Sequence, residues 1–420
     1  MEKVKICTAV TIRLFLNLGC GKALGVILND TVSQTRGSLP FVALSFSILR
    51  GLSYVAAPFV IRLMRVFSSR SIVVVGGFLV GAGFIFEAFL ANNSWLLLTS
   101  NIITGLGFGL NHIPLYIAVR EFFDDSFGTA MSAICFTANI GMAVLPPLLE
   151  YLREKYGLAG ALTLFGALMW NQILSGVLIQ SRKSQSHTGK DSDEEGENSL
   201  RAPKQQKLST PAYDSGGIYD AMVAHPTILC LYAAQLTHMF LSNSCAMFLI
   251  PYAVEKGYTQ GEAVLLTTFG GCGMLLGRAV IGLVFYLKWQ SRLIVMTSPI
   301  VLLMSNLLLA ICTHEFVLLC FASGVIGFCL GYTSSWMFSY GKYITCLPHF
   351  NSTAAWSMIC IGTAVISSGP SLGFVHDIRG TYDDVFILLI LCAAVVAICT
   401  VACISLTKRN PDCDYGDRFI

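Results

Sequence analysis

The chain has 420 residues, of which 55% are apolar and only 12% are charged, and its formal net charge is +3 at pH 7. This composition excludes a soluble globular domain, which needs more charge on its surface. The net charge is too small to indicate nucleic-acid binding. The 15 cysteines show no paired metal-ligand spacing, so neither a metal nor another cofactor is expected.

Twelve apolar stretches follow one another along the chain, each about long enough to cross a bilayer. A hydrocarbon core of about 30 Å needs roughly 20 helical residues to span it. The pattern therefore predicts an all-α polytopic membrane protein with twelve transmembrane helices in two six-helix halves. The first span is the weakest, because Arg13 and Lys22 interrupt it, and a count of eleven is the alternative. The predicted spans are residues 6–28, 41–63, 72–90, 95–117, 128–149 and 159–179, then 227–254, 263–287, 293–312, 316–338, 354–374 and 385–406.

A charged hydrophilic segment divides the spans six and six. It separates a first half, residues 1–180, from a second half, residues 225–406, and a short tail follows at residues 407–420. The segment at residues 181–224 is polar and carries few large apolar side chains, so it cannot bury enough surface to offset its ordering entropy. We expect it to be a disordered cytoplasmic linker.

The distribution of basic residues predicts the orientation. With both termini inside, 18 of the 27 Lys and Arg residues fall in inner segments, five fall in outer ones and four lie within spans. Positive charge collects on the cytoplasmic side, so both termini are expected there. We expect a multi-pass protein of the plasma membrane. Glycosylation acceptors at Asn29 and Asn92 fall in predicted outer loops, in agreement with this orientation.

Glycine pairs spaced four residues apart lie inside several spans, at residues 77 and 81, 105 and 109, and 273 and 277. Such pairs let helix backbones approach closely. In a membrane this matters because close packing, and not the hydrophobic effect, drives helices together. They predict close helix packing and carry no information on substrate.

Charged residues inside the spans indicate an anion site. A buried ionised group costs at least about 2.5 kcal/mol at a helix centre, so it normally faces a cavity or a partner. Lys22, Arg50 and Arg278 lie inside spans, whereas Glu87 is the one clear intramembrane acid. The resulting electropositive cavity suits a carboxylate held by a lysine and a guanidinium fork.

Several sequence motifs resemble the monocarboxylate transporter family, a branch of the major facilitator superfamily. They are TGLGFGLNHIPLYIAVREFF (104–123), GTAMSAICFTANIG (128–141), GPSLGFVHDIRGTYDDVF (369–386) and RLMRVFSSRSIVVVGG (62–77). The chain departs from the family in lacking the Gly- and Trp-rich motif near the first helix. It also places Asp124 and Asp125 after Phe123, where the family commonly has Lys or Arg.

The resemblance implies a major-facilitator fold that moves a small organic anion by alternating access, with a single-span immunoglobulin-like glycoprotein as accessory partner. Lys22 matches the family's first-helix lysine for the substrate carboxylate, and Arg278 matches its eighth-helix arginine. Proton-coupled members carry an Asp four residues before that arginine, and here the position is Met274. We therefore expect transport without the usual proton-coupling carboxylate.

Each candidate residue also has a structural interpretation. Lys22 is either a substrate ligand or a side chain that reaches an interface, and Arg50 either neutralises Glu87 or binds substrate as a second cation. His238 is a hydrogen-bonded packing residue or a proton carrier. The remaining candidates, which line the cavity or simply pack, are Asn111, Trp336 and Phe338.

The sequence thus predicts a secondary transporter of a small, monocarboxylate-like organic anion. The alternatives are a carrier for a larger carboxylate, such as an aromatic amino acid, and a transport-inactive receptor or scaffold. A membrane enzyme is not expected, since no nucleophile–base pair or metal cluster stands out.

Overall fold

The computed structural model describes residues 2–35, 37–64, 66–90, 93–123, 127–179, 227–287, 293–313, 315–344 and 350–407, and within these ranges its regular secondary structure is entirely α-helical. An α-helix satisfies its backbone polar groups internally, as a segment in lipid must, because the bilayer core offers no water to bond them. Large apolar side chains such as Phe78, Phe89 and Leu276 are exposed on the outside of the bundle. In a membrane these side chains face lipid.

The first half contains nine helical segments in the described ranges. They are α1 (Glu2–Ala23), α2 (Leu28–Thr35), α3 (Leu39–Val55), α4 (Ala57–Leu63), α5 (Ser69–Leu90), α6 (Ser94–Phe123), α7 (Phe127–Ala138), α8 (Ile140–Met169) and α9 (Gln172–Leu178). The second half contains six. They are α10 (Thr227–Glu255), α11 (Gln260–Tyr286), α12 (Leu293–Cys312), α13 (Phe316–Ile344), α14 (Phe350–Arg379) and α15 (Tyr382–Thr407). The predicted linker at residues 181–224 and residues 408–420 of the predicted tail lie outside the described residues.

The described helices account for the predicted spans. Eight are long and apolar enough to cross a membrane, and α3 with α4, bent by 48°, makes a ninth. One of the eight, the window Ala133–Leu178, is interrupted at Gly157 and therefore comprises two spans. These helices supply ten spans, and α10 and α12 supply the remaining two. Helix α10 carries the polar residues Gln235, His238 and Asn243, and the described apolar part of α12 is shorter. The total agrees with the predicted twelve.

The first span differs from its predicted bounds of 6–28. Helix α1 begins at Glu2 and ends at Ala23, a turn covers residues 24–27, and α2 then begins at Leu28. The turn lies where the chain meets α10, and a Cβ added at Gly25 would lie 2.9 Å from the carbonyl oxygen of Ala246. Close approach of the two backbones therefore coincides with the end of α1.

Three glycines with positive φ connect consecutive helices. Gly157 (70°) separates the two arms of α8, Gly257 (94°) lies between α10 and α11, and Gly380 (78°) lies between α14 and α15. Only glycine adopts this backbone region without steric cost, so these positions allow tight turns. The break at Gly157 separates the predicted fifth and sixth spans.

The predicted glycine pairs pack helices together. A Cβ at Gly105 in α6 would lie within 3 Å of the Leu49 carbonyl of α3, and a Cβ at Gly109 would lie equally close to Ala56 at the bend between α3 and α4. Gly273 and Gly277 in α11 lie directly against backbone carbonyls of α13, so closely that any side chain would overlap them. These helices pack backbone to backbone, as the spacing predicts.

The two halves meet along α1 with α10, α3 with α14, and α8 with α11. Some of these contacts lie at the side where α1 ends, which we term the outer end from the predicted orientation. There Gln260 donates to the carbonyl of Val26 at 2.8 Å, and Gly373 packs on Pro40. The largest buried apolar cluster contains residues of both halves. The site lies at this junction.

Candidate functional site

Lys22 occupies the last turn of α1 and is buried, with 4% of its surface exposed. It lines two small cavities between the halves. One, of about 10 Å³, lies towards the second half, where Lys22 faces Cys245, Gly270 and Ser323. The other, of about 30 Å³, is termed the central cavity. Its lining comprises Gly21, Lys22, Arg50, Tyr54 and Met142 from the first half, and Met239, Ser242, Asn243, Ala246, Met274 and Val365 from the second.

Arg50 brings a second cation to the central cavity. Its Nη1 donates to the carbonyl of Asn17 at 3.3 Å, and its Nε has no hydrogen-bond partner among the described residues. The guanidinium lies directly over Gly21, where a Cβ would overlap it. A glycine beside Lys22 is therefore what allows the Arg50 head group to reach the same cavity.

The central cavity is electropositive. In the part of the chain that the structure describes, neither Lys22 nor Arg50 forms an ion pair, and no residue lining either cavity is acidic. Cations held away from bulk water without counter-charges attract anions strongly, because little solvent screens them. The arrangement favours binding of a carboxylate or another small oxyanion.

Glu87 forms no ion pair with Arg50 in the described part of the chain, although neutralising Arg50 was one of the two expected roles of this pair. Its side chain is 1% exposed, and neither carboxylate oxygen has a hydrogen-bond partner among the described residues. The geometry therefore does not favour the charge-pair interpretation. Arg50 extends from α3 over Gly21 into the junction of the halves, whereas Glu87 is buried on α5 and lines neither cavity. This geometry leaves Arg50 available for substrate.

Met274 and Arg278 lie one turn apart on α11. Met274 lines the central cavity. It occupies the position at which the sequence resemblance described above gives proton-coupled transporters an Asp. Arg278 is half-buried and lines neither cavity, but it interacts electrostatically with Tyr54 and Cys135 across the junction. Its Nε has no hydrogen-bond partner among the described atoms. Arg278 therefore lies beside the site, about 6 Å further along the helix axis.

His238 is buried on α10 close enough to Arg278 for electrostatic interaction. Neither ring nitrogen has a hydrogen-bond partner among the described residues. The expected hydrogen-bonded packing role is thus not seen in the described part of the chain. A proton-carrier role stays a hypothesis.

Asn111 and Trp336 do not join the site. Asn111 is fully buried within the first half, where its amide nitrogen donates to Gln172 at 3.0 Å; the opposite amide orientation donates to the carbonyl of Val73 at 2.8 Å. Trp336 is 1% exposed and packs in an apolar cluster of the second half. The Phe338 side chain lies outside the described residues. Neither Asn111 nor Trp336 lines either of the two cavities described above.

Arg13 was not among the predicted site residues, because the sequence places it nearer an end of the first span. Helix α1 begins at Glu2, so Arg13 falls at its middle and is 2% exposed. Its Nη2 donates to Nδ1 of His112 at 2.9 Å, and the His112 ring lies 5.6 Å from that of Tyr54. Since Tyr54 also lines the central cavity, Arg13 extends the basic region along α1.

Small polar residues of the second half were also missed. Asn243 lines the central cavity and donates to the hydroxyl of Ser368 at 2.8 Å. Ser242 lines the same cavity, and Ser323 lines the smaller one. The available signal was the run Ser242, Asn243 and Ser244 inside an apolar span.

The predicted glycosylation acceptor Asn29 lies in α2 and is partly buried. The other two residues of its motif are engaged: Asp30 pairs with Arg153 at 3.0 Å, and Thr31 is buried and donates to the carbonyl of Ile27. In the folded protein the acceptor motif is therefore not an open loop, because α2 packs back onto the bundle. Asn92 lies outside the described residues.

Comparison with known proteins gives evidence on the family of this chain that does not depend on the geometry of the cavities. Residues 10–345 match the model of the Major Facilitator Superfamily. The chain is 23% identical to monocarboxylate transporter 4 of Gallus gallus, over 93% of this chain and 81% of that protein. It is also 23% identical to monocarboxylate transporter 2 of Homo sapiens, over 90% and 80%, and 25% identical to monocarboxylate transporter 12 of Xenopus laevis, over 82% and 76%.

Among solved structures, the fold resembles that of a bacterial homologue of the human lysosomal transporter Spinster in an inward-facing, unoccupied conformation. The TM-score is 0.67, with 11% sequence identity, over 97% of this chain and 95% of that one. This likeness concerns the fold alone, and it confirms the predicted architecture of two helical halves.

Proposed function

The chain belongs to the major facilitator superfamily, and from this premise we propose that it is a secondary transporter of small organic anions whose carboxylate is held by Lys22. The chain is related to monocarboxylate transporters over most of its length. Relatives indicate the class of activity, whereas the residues of the site have to supply the chemistry. The proposal therefore depends on the central cavity.

One observation carries the proposal: Lys22 is buried at the junction of the halves and lines both cavities without an ion-pair partner among the described residues. A lysine that merely reached an interface would place its ammonium in water or among lipid head groups. A buried ammonium between two halves instead requires an anion or strong dipoles nearby. A substrate carboxylate provides that counter-charge.

We propose alternating access as the mechanism. The central cavity of about 30 Å³ has room for a few water molecules only, so the halves must separate before a carboxylate binds. Contacts at the outer end include the bond from Gln260 to Val26 and packing of Gly373 on Pro40. These contacts involve small groups, which suits an interface that opens and closes.

The absence of a titratable group at position 274 supports transport without a proton-coupling carboxylate on α11. Met274 lines the central cavity, and its thioether neither binds nor releases a proton. In the described lining of the two cavities no side chain is acidic. The substrate therefore enters as an anion and is neutralised by the cations of the site.

The proposal also includes location and partners. We place both termini in the cytoplasm because of the basic-residue distribution, and we place the protein in the plasma membrane on resemblance alone. An accessory immunoglobulin-like glycoprotein remains part of the proposal on resemblance alone. The carrier of larger carboxylates and the transport-inactive receptor or scaffold are not favoured, and the family is one of transporters rather than enzymes.

Uptake into liposomes tests the proposal. The purified protein is reconstituted, and a panel of labelled carboxylates is supplied outside. Wild-type protein and the variant Lys5→Gln, a matched control for an exposed lysine of the same helix, should take up at least one carboxylate above protein-free liposomes. Lys22→Gln should reduce that uptake to background. Uptake of no carboxylate by the wild type, or full uptake by Lys22→Gln, would overturn the assignment.

A further inference from the structure

We propose that the preferred substrate is a small dicarboxylate, with one acidic group on Lys22 and the other on Arg50. This inference rests on the proposed function, since it concerns the same cavity, and it specifies the charge of the transported anion. The observations that carry it are the presence of two cations on one cavity and the lack of any acid in its described lining.

The two cations belong to adjoining helices and line the same cavity. Lys22 follows Gly21 in α1, and the guanidinium of Arg50 from α3 lies directly over Gly21. Both side chains line the central cavity. An anion that enters this space therefore meets two positive groups together, and their mutual repulsion makes a doubly charged ligand the better electrostatic match.

Both cations retain unused hydrogen-bond donors. The ammonium of Lys22 has three donors, and no hydrogen bond to a described residue engages it. Arg50 has five donors, of which one reaches Asn17 at the long distance of 3.3 Å, while its Nε lacks any partner in the described ranges. The ammonium of Lys22 and the guanidinium of Arg50 can thus each bind one carboxylate.

No described protein group supplies the second negative charge. Glu87 lines neither cavity, and the α11 position beside the site is Met274. A monocarboxylate would neutralise one cation and leave the other desolvated and unpaired, which is unfavourable in a membrane interior. A dicarboxylate neutralises both.

The rest of the lining suits a short carbon chain between the acidic groups. Met142, Met239 and Met274 surround the cavity with flexible, polarizable side chains that adapt to a small apolar segment. Ser242 and Asn243 add polar groups for ligand oxygens. The lining therefore accommodates both the ends and the middle of such a molecule.

The test compares two labelled probes, succinate and lactate, in liposomes containing the wild-type protein at about pH 7.5, where both are ionised. The expected result is a preference for succinate of about tenfold or more in kcat/KM, the effect of one additional charge-assisted contact. Arg50→Gln should lower succinate uptake about tenfold or more while lactate uptake changes much less. Arg50→Lys, which keeps the charge, should retain part of the preference.

Each other outcome overturns the inference. Equal uptake of both probes, or a preference for lactate, would show that the wild-type site binds one negative charge, and this result needs no variant. An equal loss of both activities in Arg50→Gln would make Arg50 a general structural or steering residue. Uptake of neither probe nor of any other carboxylate would overturn the proposed function as well, whereas lactate uptake without succinate uptake would overturn this inference alone.

Discussion

Arg278 is set apart from the other cations by its surroundings. It is half-buried one turn beyond Met274, and it interacts with Tyr54 and Cys135 of the opposite half. Its guanidinium stays charged at every physiological pH, and it makes no ion pair with a described residue. We infer that Arg278 guides the anion to the central cavity or holds it during release.

Replacing Arg278 should therefore impair transport without preventing folding. Arg278→Ala is expected to lower carboxylate kcat/KM by about tenfold or more, the loss of one charge-assisted contact, while surface expression stays near wild type. Arg278→Lys should restore activity poorly, because an ammonium lacks the planar fork. Uptake assays normalised to surface protein provide the measurement.

The matched control is Arg379→Ala, since Arg379 is an exposed arginine at the end of α14. This variant should transport at the wild-type rate. Wild-type flux in Arg278→Ala would remove Arg278 from the substrate path.

At the scale of the helix, α11 and α13 form the closest pair in the second half. Gly273 and Gly277 lie against the carbonyls of Gly324 and Phe328 so closely that no side chain fits between the backbones. This packing fixes the rotation of α11 and thus the direction in which Met274 and Arg278 point. Helix packing is therefore linked directly to the composition of the site.

Gly277→Val should separate α11 from α13. The added side chain overlaps the α13 backbone, and overpacking of this kind costs about 1–3 kcal/mol. We expect a lower Tm in detergent, measured by thermal unfolding, together with reduced uptake. Gly282→Val is the control, because a Cβ at Gly282 on the same helix meets no atom within 4 Å. Equal Tm values for the two variants would contradict the packing account.

The sequence predicts helix positions better than helix rotation. The spans could be predicted because about twenty apolar residues are needed to cross a bilayer. The glycine pairs could be predicted because residues four apart lie on one helix face. Which face points to the cavity was not readable, since lipid and protein interior are both apolar. For that reason the sequence does not distinguish Lys22, which lines both cavities, from Asn111, which is buried within the first half.

The broken helices show a second limit of prediction. Helix α1 ends at Ala23 and the second span bends at Ala56 between α3 and α4, although the apolar pattern continues through both places. The end of α1 coincides with the contact of Gly25 on α10, which is a tertiary interaction between distant parts of the chain. Hydropathy along the chain does not predict such tertiary contacts.

At the scale of the whole molecule, the two halves enclose a basic site between them. Lys22 and Arg50 come from the first half, and Met274 and Asn243 come from the second. Separation of the halves would therefore divide the lining and expose the cations to a substrate. The contacts of Gln260 with Val26 and of Gly373 with Pro40 would have to break for opening at the outer end.

The same arrangement predicts weak coupling to protons. Because Met274 cannot titrate and no described residue lining the cavities is acidic, net flux should follow the substrate gradient. With membrane potential clamped and the anion concentration fixed, lowering the external pH from about 8 to about 6, a range that brackets the histidine pKa, should change uptake little. Strong acceleration with matching internal acidification would contradict this prediction. Glu87→Gln and His238→Gln would then identify the proton carrier.

The most direct test of the central claim is counterflow, because it requires a binding site that faces each side of the membrane in turn. Liposomes containing the protein are loaded with an unlabelled carboxylate and diluted into a trace of the labelled compound, using the carboxylate that the wild type takes up fastest. Wild-type protein should accumulate label transiently above its equilibrium level, and Lys22→Gln, which lacks the buried ammonium, should not. Absence of the overshoot in the wild type, or an equal overshoot in Lys22→Gln, would contradict a carrier that binds its anion at Lys22.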